Sequence, residues 1–175
     1  PMATMGAATM ALSAFYKDHL HLEDEEEFKM MRRRILAKMP VIAAMAYRNS
    51  IGTPLIYPDV NKYFTENFLY MLRAYPGGKM KYLGDGVNDE IKQVEIDALD
   101  AILTLHADHE QNASTTTVRN VGSTEAHPYV AIASGISALW GSAHGGANEK
   151  VMDQLRLIGD VKNVPTYIAK AKDRN

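Results

Sequence analysis

Two short segments concentrate the side chains that titrate near neutrality. His106-Ala-Asp-His-Glu-Gln-Asn-Ala-Ser-Thr115 and Ser142-Ala-His-Gly-Gly-Ala-Asn148 hold three of the six histidines, each beside small or polar residues. An imidazole in such a setting suits a general acid, a general base or a group that polarises a carbonyl. His144 has Ala143, Gly145, Gly146 and Ala147 around it, and the glycines let backbone and ligand approach closely. A helix starting at Asn148 would leave backbone N–H groups near His144 free for a carboxylate or a developing oxyanion. His106 and His109 are spaced i,i+3, with Asp108 and Glu110 interleaved. These groups could cap the helix that precedes them, or hold a divalent cation. The zincin pattern needs histidines at i,i+4 around a Glu, so no metal is assigned here. Gln111, Asn112, Ser114 and Thr115 extend the polar cluster and favour a ligand site. A third set is Tyr16, Arg34 and Lys38. The two cations are i,i+4 on one helix face, able either to grip an anion or to pair with acids a turn away.

The elements that position these residues read as helices, and no run alternates with period two. Met2 to Leu20 is rich in Ala, Gly, Met and Thr, which predicts a buried helix in close contact with others. Glu23 to Glu27 followed by Lys29, Arg32, Arg33, Arg34 and Lys38 places acids before bases, in the sense that suits a helix dipole. Pro40 should interrupt that helix, with Val41 to Arg48 continuing beyond a kink. Ile51 to Pro58 reads as a loop and Asn61 to Ala74 as a helix, with Phe64, Phe68, Leu69 and Leu72 on one side. Pro76 to Gly86 reads as a surface loop. Glu90 to Leu105 is an amphipathic helix, followed by a Thr-rich helix from Ser114. Tyr129 to Trp140 is apolar on nearly every face, which predicts deep burial. Asn148 to Leu157 and Val164 to Ala171 complete an all-α chain, with Gly145-Gly146 as a possible hinge.

Composition excludes several classes. The 175 residues are 46% hydrophobic, enough for a sizeable core, and the net charge of -2 argues against nucleic acid or an anionic membrane as partner. The absence of cysteine removes disulfides, thiolate metal sites and cysteine nucleophiles, and fits a reducing compartment. No apolar run approaches the roughly 20 residues that span a bilayer. The start at Pro1 and the finish in Lys172-Asp-Arg-Asn175 read as cuts in a longer chain.

In order along the chain, Pro1-Met-Ala, Ser50-Ile-Gly52, Tyr57-Pro58, Leu105 to Thr117 and Gly141 to Asn148 resemble bacterial-type citrate synthases. The resemblance implies the all-α citrate synthase fold, with 1–145 as part of the large helical domain and 146–175 as the start of the small one. It implies condensation of acetyl-CoA with oxaloacetate, without a cofactor, in the bacterial cytoplasm, by a homo-oligomer. His144 then matches the histidine that donates to the thioester carbonyl as acetyl-CoA is enolised. His109 matches an oxaloacetate ligand, and His106 lies in the same pocket. Tyr16, Arg34 and Lys38 resemble positions with which some Gram-negative members bind the inhibitor NADH. The family's Gly-(Phe/Tyr)-Gly-His-Arg stretch, its catalytic aspartate and its later substrate arginines have no counterpart in these residues, so the isolated chain is expected to be inactive. Two alternatives stand beside this one: 2-methylcitrate synthase, which uses propionyl-CoA on the same scaffold, and a helical dimerisation module with no chemistry of its own.

Overall fold

The structure, a computed structural model, describes residues 1–16, 24–75, 91–108 and 110–173. Among them the regular elements are all helical: α1 (Met2–Phe15), α2 (Glu25–Ser50), α3 (Phe64–Arg73), α4 (Gln93–Leu105), α5 (Ala113–Gly122), α6 (Pro128–Ala138), α7 (Gly145–Ile158) and α8 (Val164–Lys172), with a 3-10 turn at Val161–Asn163. The chain divides into two compact units, Pro1–Ala138 and Leu139–Asn175. The glycine pair read as a hinge, Gly145-Gly146, forms the first turn of α7.

Within the first unit α6 lies between α1 and α5, while α2 packs on α1 and α3, and α4 on α3. Deep burial of α6 follows from its small residues. Tyr129, Ala131, Ala133, Gly135 and Ile136 are all buried. A Cβ on Gly135 would lie 2.6 Å from Val118 Cγ2, so only glycine lets α5 sit this close. The apolar helix ends at Ala138, ahead of the expected Trp140, which is 61% exposed. Met31 and Ile35 of α2 meet Tyr129 at the centre of the core, with Leu12, Tyr16, Met39 and Ile132 around them.

The expectation for the first helix needs correction. α1 ends at Phe15, and Thr9 is its one buried residue; Phe15 is 79% exposed. Small side chains allow close approach to α6, but they do not by themselves surround a helix on all faces. Val41 to Arg48 continues beyond Pro40 as part of the same helix, α2. A proline inside a helix costs about 3 kcal/mol. Apolar burial on both sides of it, at Met31 and Ile35 before and at Ala44 and Ala46 after, offsets that cost. The start of α2 is fixed as its acids imply, with the Asp24 side chain accepting from Glu26 N (2.9 Å) and Glu27 N (3.2 Å).

Arg48, in the last turn of α2, is 2% exposed. Its Nη1 donates to the carbonyls of Met71 (3.1 Å) and Leu72 (2.9 Å) at the end of α3, and its Nε donates to the Pro54 carbonyl. One cation therefore neutralises the negative end of α3 and anchors the expected loop of residues 51–58. On α3 the buried face carries Thr65, Leu69 and Met71, whereas Phe64 is 52% exposed. α4 buries none of its residues and exposes Val94, Ile102, Leu103 and Leu105. In the second unit α7 likewise exposes Val151, Met152, Leu155 and Leu157. The expected loop of Pro76 to Gly86 lies outside the described residues, as do residues 17–23 and 90 of the expected helices.

Candidate active site and anion site

The first histidine segment is a helix end followed by a helix start. α4 closes on His106, whose backbone N–H donates to the Ile102 carbonyl at 3.1 Å. Its ring Nδ1 lies 2.7 Å from the same oxygen. A carbonyl oxygen can only accept, so Nδ1 carries the proton and Nε2 is the nitrogen left to face a ligand. Asp108 accepts from Glu110 N at 3.1 Å, in a turn that puts Glu110 in the left-handed region at φ 56. Few non-glycine residues adopt that conformation, and it concentrates at functional sites. Asn112 then caps α5, accepting from Thr115 N at 2.9 Å and from the Ser114 hydroxyl at 2.6 Å. The expected capping role of this polar cluster is thus met at Asn112. His109 lies outside the described residues.

In the second unit His144 is the N-cap of α7, half-buried, with no hydrogen bond from its side chain to the helix start. The expected free N–H groups are not present there. α7 begins at Gly145, three residues ahead of the expected Asn148, and the turn satisfies its own donors. His144 N and Gly146 N donate to the Gly141 carbonyl at 3.1 and 3.2 Å, Gly145 N to the Leu139 carbonyl at 3.0 Å, and Ala147 N and Asn148 N to the His144 carbonyl at 3.1 and 3.2 Å. What the turn offers a substrate is therefore the imidazole, not a nest of amides. A Cβ on Gly145 would lie 2.7 Å from the Leu139 carbonyl oxygen, so glycine is required for the turn that presents the ring.

The third set is brought together in space. The Arg34 guanidinium lies 4.9 Å from the Tyr16 ring centre and Lys38 Nζ 5.8 Å from it. Pairing of these cations with acids a turn away is not what the structure has. Among the described residues neither has an ion-pair partner, whereas Lys29 bonds both Glu25 and Glu26 at 3.0 and 2.9 Å.

Two residues that the sequence reading passed over complete the set. Tyr129 stacks on Tyr16 with ring centres 5.5 Å apart and planes at 19°, and His127 stacks on the other aromatic neighbour, Tyr129 itself, at 5.4 Å and 24°. His127 Nε2 reaches the Tyr16 carbonyl at 3.3 Å, and its Nδ1 accepts from Tyr129 N at 3.3 Å. The Tyr129 hydroxyl is buried with no hydrogen-bond partner among the described residues. Burial pushes this phenol above its usual range, and Tyr16 adds to the effect while Arg34 opposes it. The adjacent His127-Pro128-Tyr129 ahead of an apolar run was the one signal available in the sequence.

The family model described as "Citrate synthase, C-terminal domain" matches residues 1–175. A citrate synthase of Helicobacter pylori (strain J99) is 55% identical over 175 residues, covering 100% of this chain and 41% of that protein. The crystal structure of citrate synthase from Pyrobaculum aerophilum superposes with a TM-score of 0.74 at 31% identity, over 91% of this chain and 39% of that one. Citrate synthase from Thermotoga maritima MSB8 gives a TM-score of 0.61 at 26% identity, over 100% of this chain and 43% of that one. The chain thus spans about two fifths of the length of these relatives.

Proposed function

Because the chain belongs to the citrate synthase family, we propose that it forms part of an enzyme that condenses acetyl-CoA with oxaloacetate and water to citrate and CoA, the entry reaction of the tricarboxylic acid cycle. The observation that carries this is the family model's match along all 175 residues, through both histidine segments. Removing a proton from the thioester methyl leaves an enolate-like oxygen, and the imidazole of His144 supplies the hydrogen bond that stabilises it. His109 and His106 hold oxaloacetate. His106 would do so through Nε2, because its Nδ1 proton is committed to Ile102. The acyl group becomes an alkyl group on transfer, and acetyl-CoA is a substrate, so the reaction needs no cofactor. We place the protein in the bacterial cytoplasm, a reading supported by its lack of cysteine. We assign residues 1–145 to the large domain and 146–175 to the small one.

A polypeptide of these 175 residues alone is expected to give no turnover, because it has no counterpart of the family's second histidine or catalytic aspartate. Citrate formation from acetyl-CoA and oxaloacetate by that polypeptide would overturn this expectation. In an active enzyme that includes these residues, comparing acetyl-CoA with propionyl-CoA tests the substrate; faster turnover of propionyl-CoA would favour 2-methylcitrate synthesis.

Assembly into a homo-oligomer is supported by the exposed Val94, Ile102, Leu103 and Leu105 of α4. Light scattering is expected to give at least twice the 19.4 kDa of one chain. A monomer at high concentration would refute it. Tyr16, Arg34 and Lys38 are proposed as an anion site, the kind that accepts the phosphates of NADH, and the proximity of both cations to one ring supports it.

A further inference from the structure

Among the described residues, three donors around the Tyr16 ring lack acceptors. Two are the Arg34 guanidinium and the Lys38 ammonium, which rest against the ring with no carboxylate partner among the described residues. The third is the hydroxyl of Tyr129, a residue 1% exposed, whose oxygen has no hydrogen-bond partner. A buried O–H without an acceptor weakens the fold, and phenylalanine would fill the same space without that cost. Its ring is parallel to Tyr16 to within 19° and 5.5 Å away, which places Tyr129 against the same ring that the two cations rest on. Arg34 is close enough for its charge to act on that phenol, and burial raises its pKa further above the ordinary value, so it stays a donor at neutral pH. The cluster is therefore rich in donors and poor in acceptors, the complement of an oxyanion. Two cationic groups and a hydroxyl can each reach a separate oxygen of a phosphate, which has three terminal oxygens to a carboxylate's two.

We propose that Tyr129 is a ligand-contacting residue of the anion site: a phosphate group draws Arg34 and Lys38 off the Tyr16 ring, Tyr16 moves aside, and the Tyr129 hydroxyl donates to the phosphate. This rests on Tyr16, Arg34 and Lys38 being an anion site. Calorimetric titration of the 175-residue chain with inorganic pyrophosphate tests it, with Tyr129→Phe and Arg34→Ala alongside the unaltered chain. Tyr129→Phe is expected to melt no lower than the unaltered chain, since no hydrogen bond is lost. Its affinity is expected to fall about tenfold, the effect of one hydrogen bond to a charged acceptor. Unchanged affinity in Tyr129→Phe with a loss in Arg34→Ala overturns the role of Tyr129 and leaves the anion site standing. No binding by the unaltered chain, or full binding by Arg34→Ala, overturns both. A lower melting temperature in Tyr129→Phe would reveal a structural role for the hydroxyl and also overturn the proposal.

Discussion

Replacing Arg48 with methionine is expected to cost the first unit about 3–5 kcal/mol, a large part of the 5–15 kcal/mol that holds an ordinary domain together. The guanidinium is buried and serves three carbonyls, those of Pro54, Met71 and Leu72. Each hydrogen bond from a charged group contributes about 1.5–3 kcal/mol, and the Met71 carbonyl, whose bond to Arg48 is buried, is left without its donor. Methionine matches much of the length and recovers some apolar contact, so the full sum is not lost. The loss should fall on α3 and on residues 51–58 together, because one side chain ties both to α2. Arg48→Lys should lie between, since an ammonium cannot span the positions that a planar guanidinium reaches. Urea unfolding measures all three. A midpoint for Arg48→Met that implies less than about 1 kcal/mol of destabilisation would show that the three carbonyls do not depend on Arg48.

The second large effect concerns His144. In an active enzyme that carries these residues, His144→Ala is expected to lower kcat by about 10²–10⁴-fold, the range for removing a positioned proton donor or an oxyanion-stabilising group. Satisfied backbone donors strengthen the expectation. The amides of residues 144–148 all donate to local carbonyls, so none is spare to stabilise the enolate oxygen once the imidazole is gone. Gly145→Ala is a separate test of the same turn. Its new Cβ would press on the Leu139 carbonyl oxygen and displace the ring without removing it. It should therefore lower kcat less than His144→Ala does. Steady-state rates at saturating substrate would distinguish the two variants. A kcat for His144→Ala within tenfold of the unaltered enzyme would remove His144 from the chemistry.

Much of this was legible from local pattern. The 3.6-residue period located α4, α5, α6 and α8 within a few residues of their observed bounds, because apolar spacing and cap residues such as Asn112 act within a turn or two. The likeness to citrate synthases in the two histidine segments survived comparison with known proteins along the whole chain. The cost of Pro40 is local and legible, while the packing at Met31, Ile35, Ala44 and Ala46 that offsets it depends on other helices. The extent of α1 and the start of α7 were misjudged for related reasons. Small residues do not say how many neighbours surround a helix, and the bonds from Gly145 N to Leu139 and from Gly146 N to Gly141 depend on how the preceding turn folds back.

By itself the sequence determined that the chain is helical and which family it resembles. These depend on side-chain type and on spacing within a few residues. Tertiary structure alone decided that Arg48 would be buried against three carbonyls, that the amides beside His144 would be occupied, and that Tyr129 and His127 would join Tyr16. The Tyr16 carbonyl and the His127 ring meet across 111 positions of sequence. No local pattern encodes such a meeting, because it exists only once α1 and α6 have packed together.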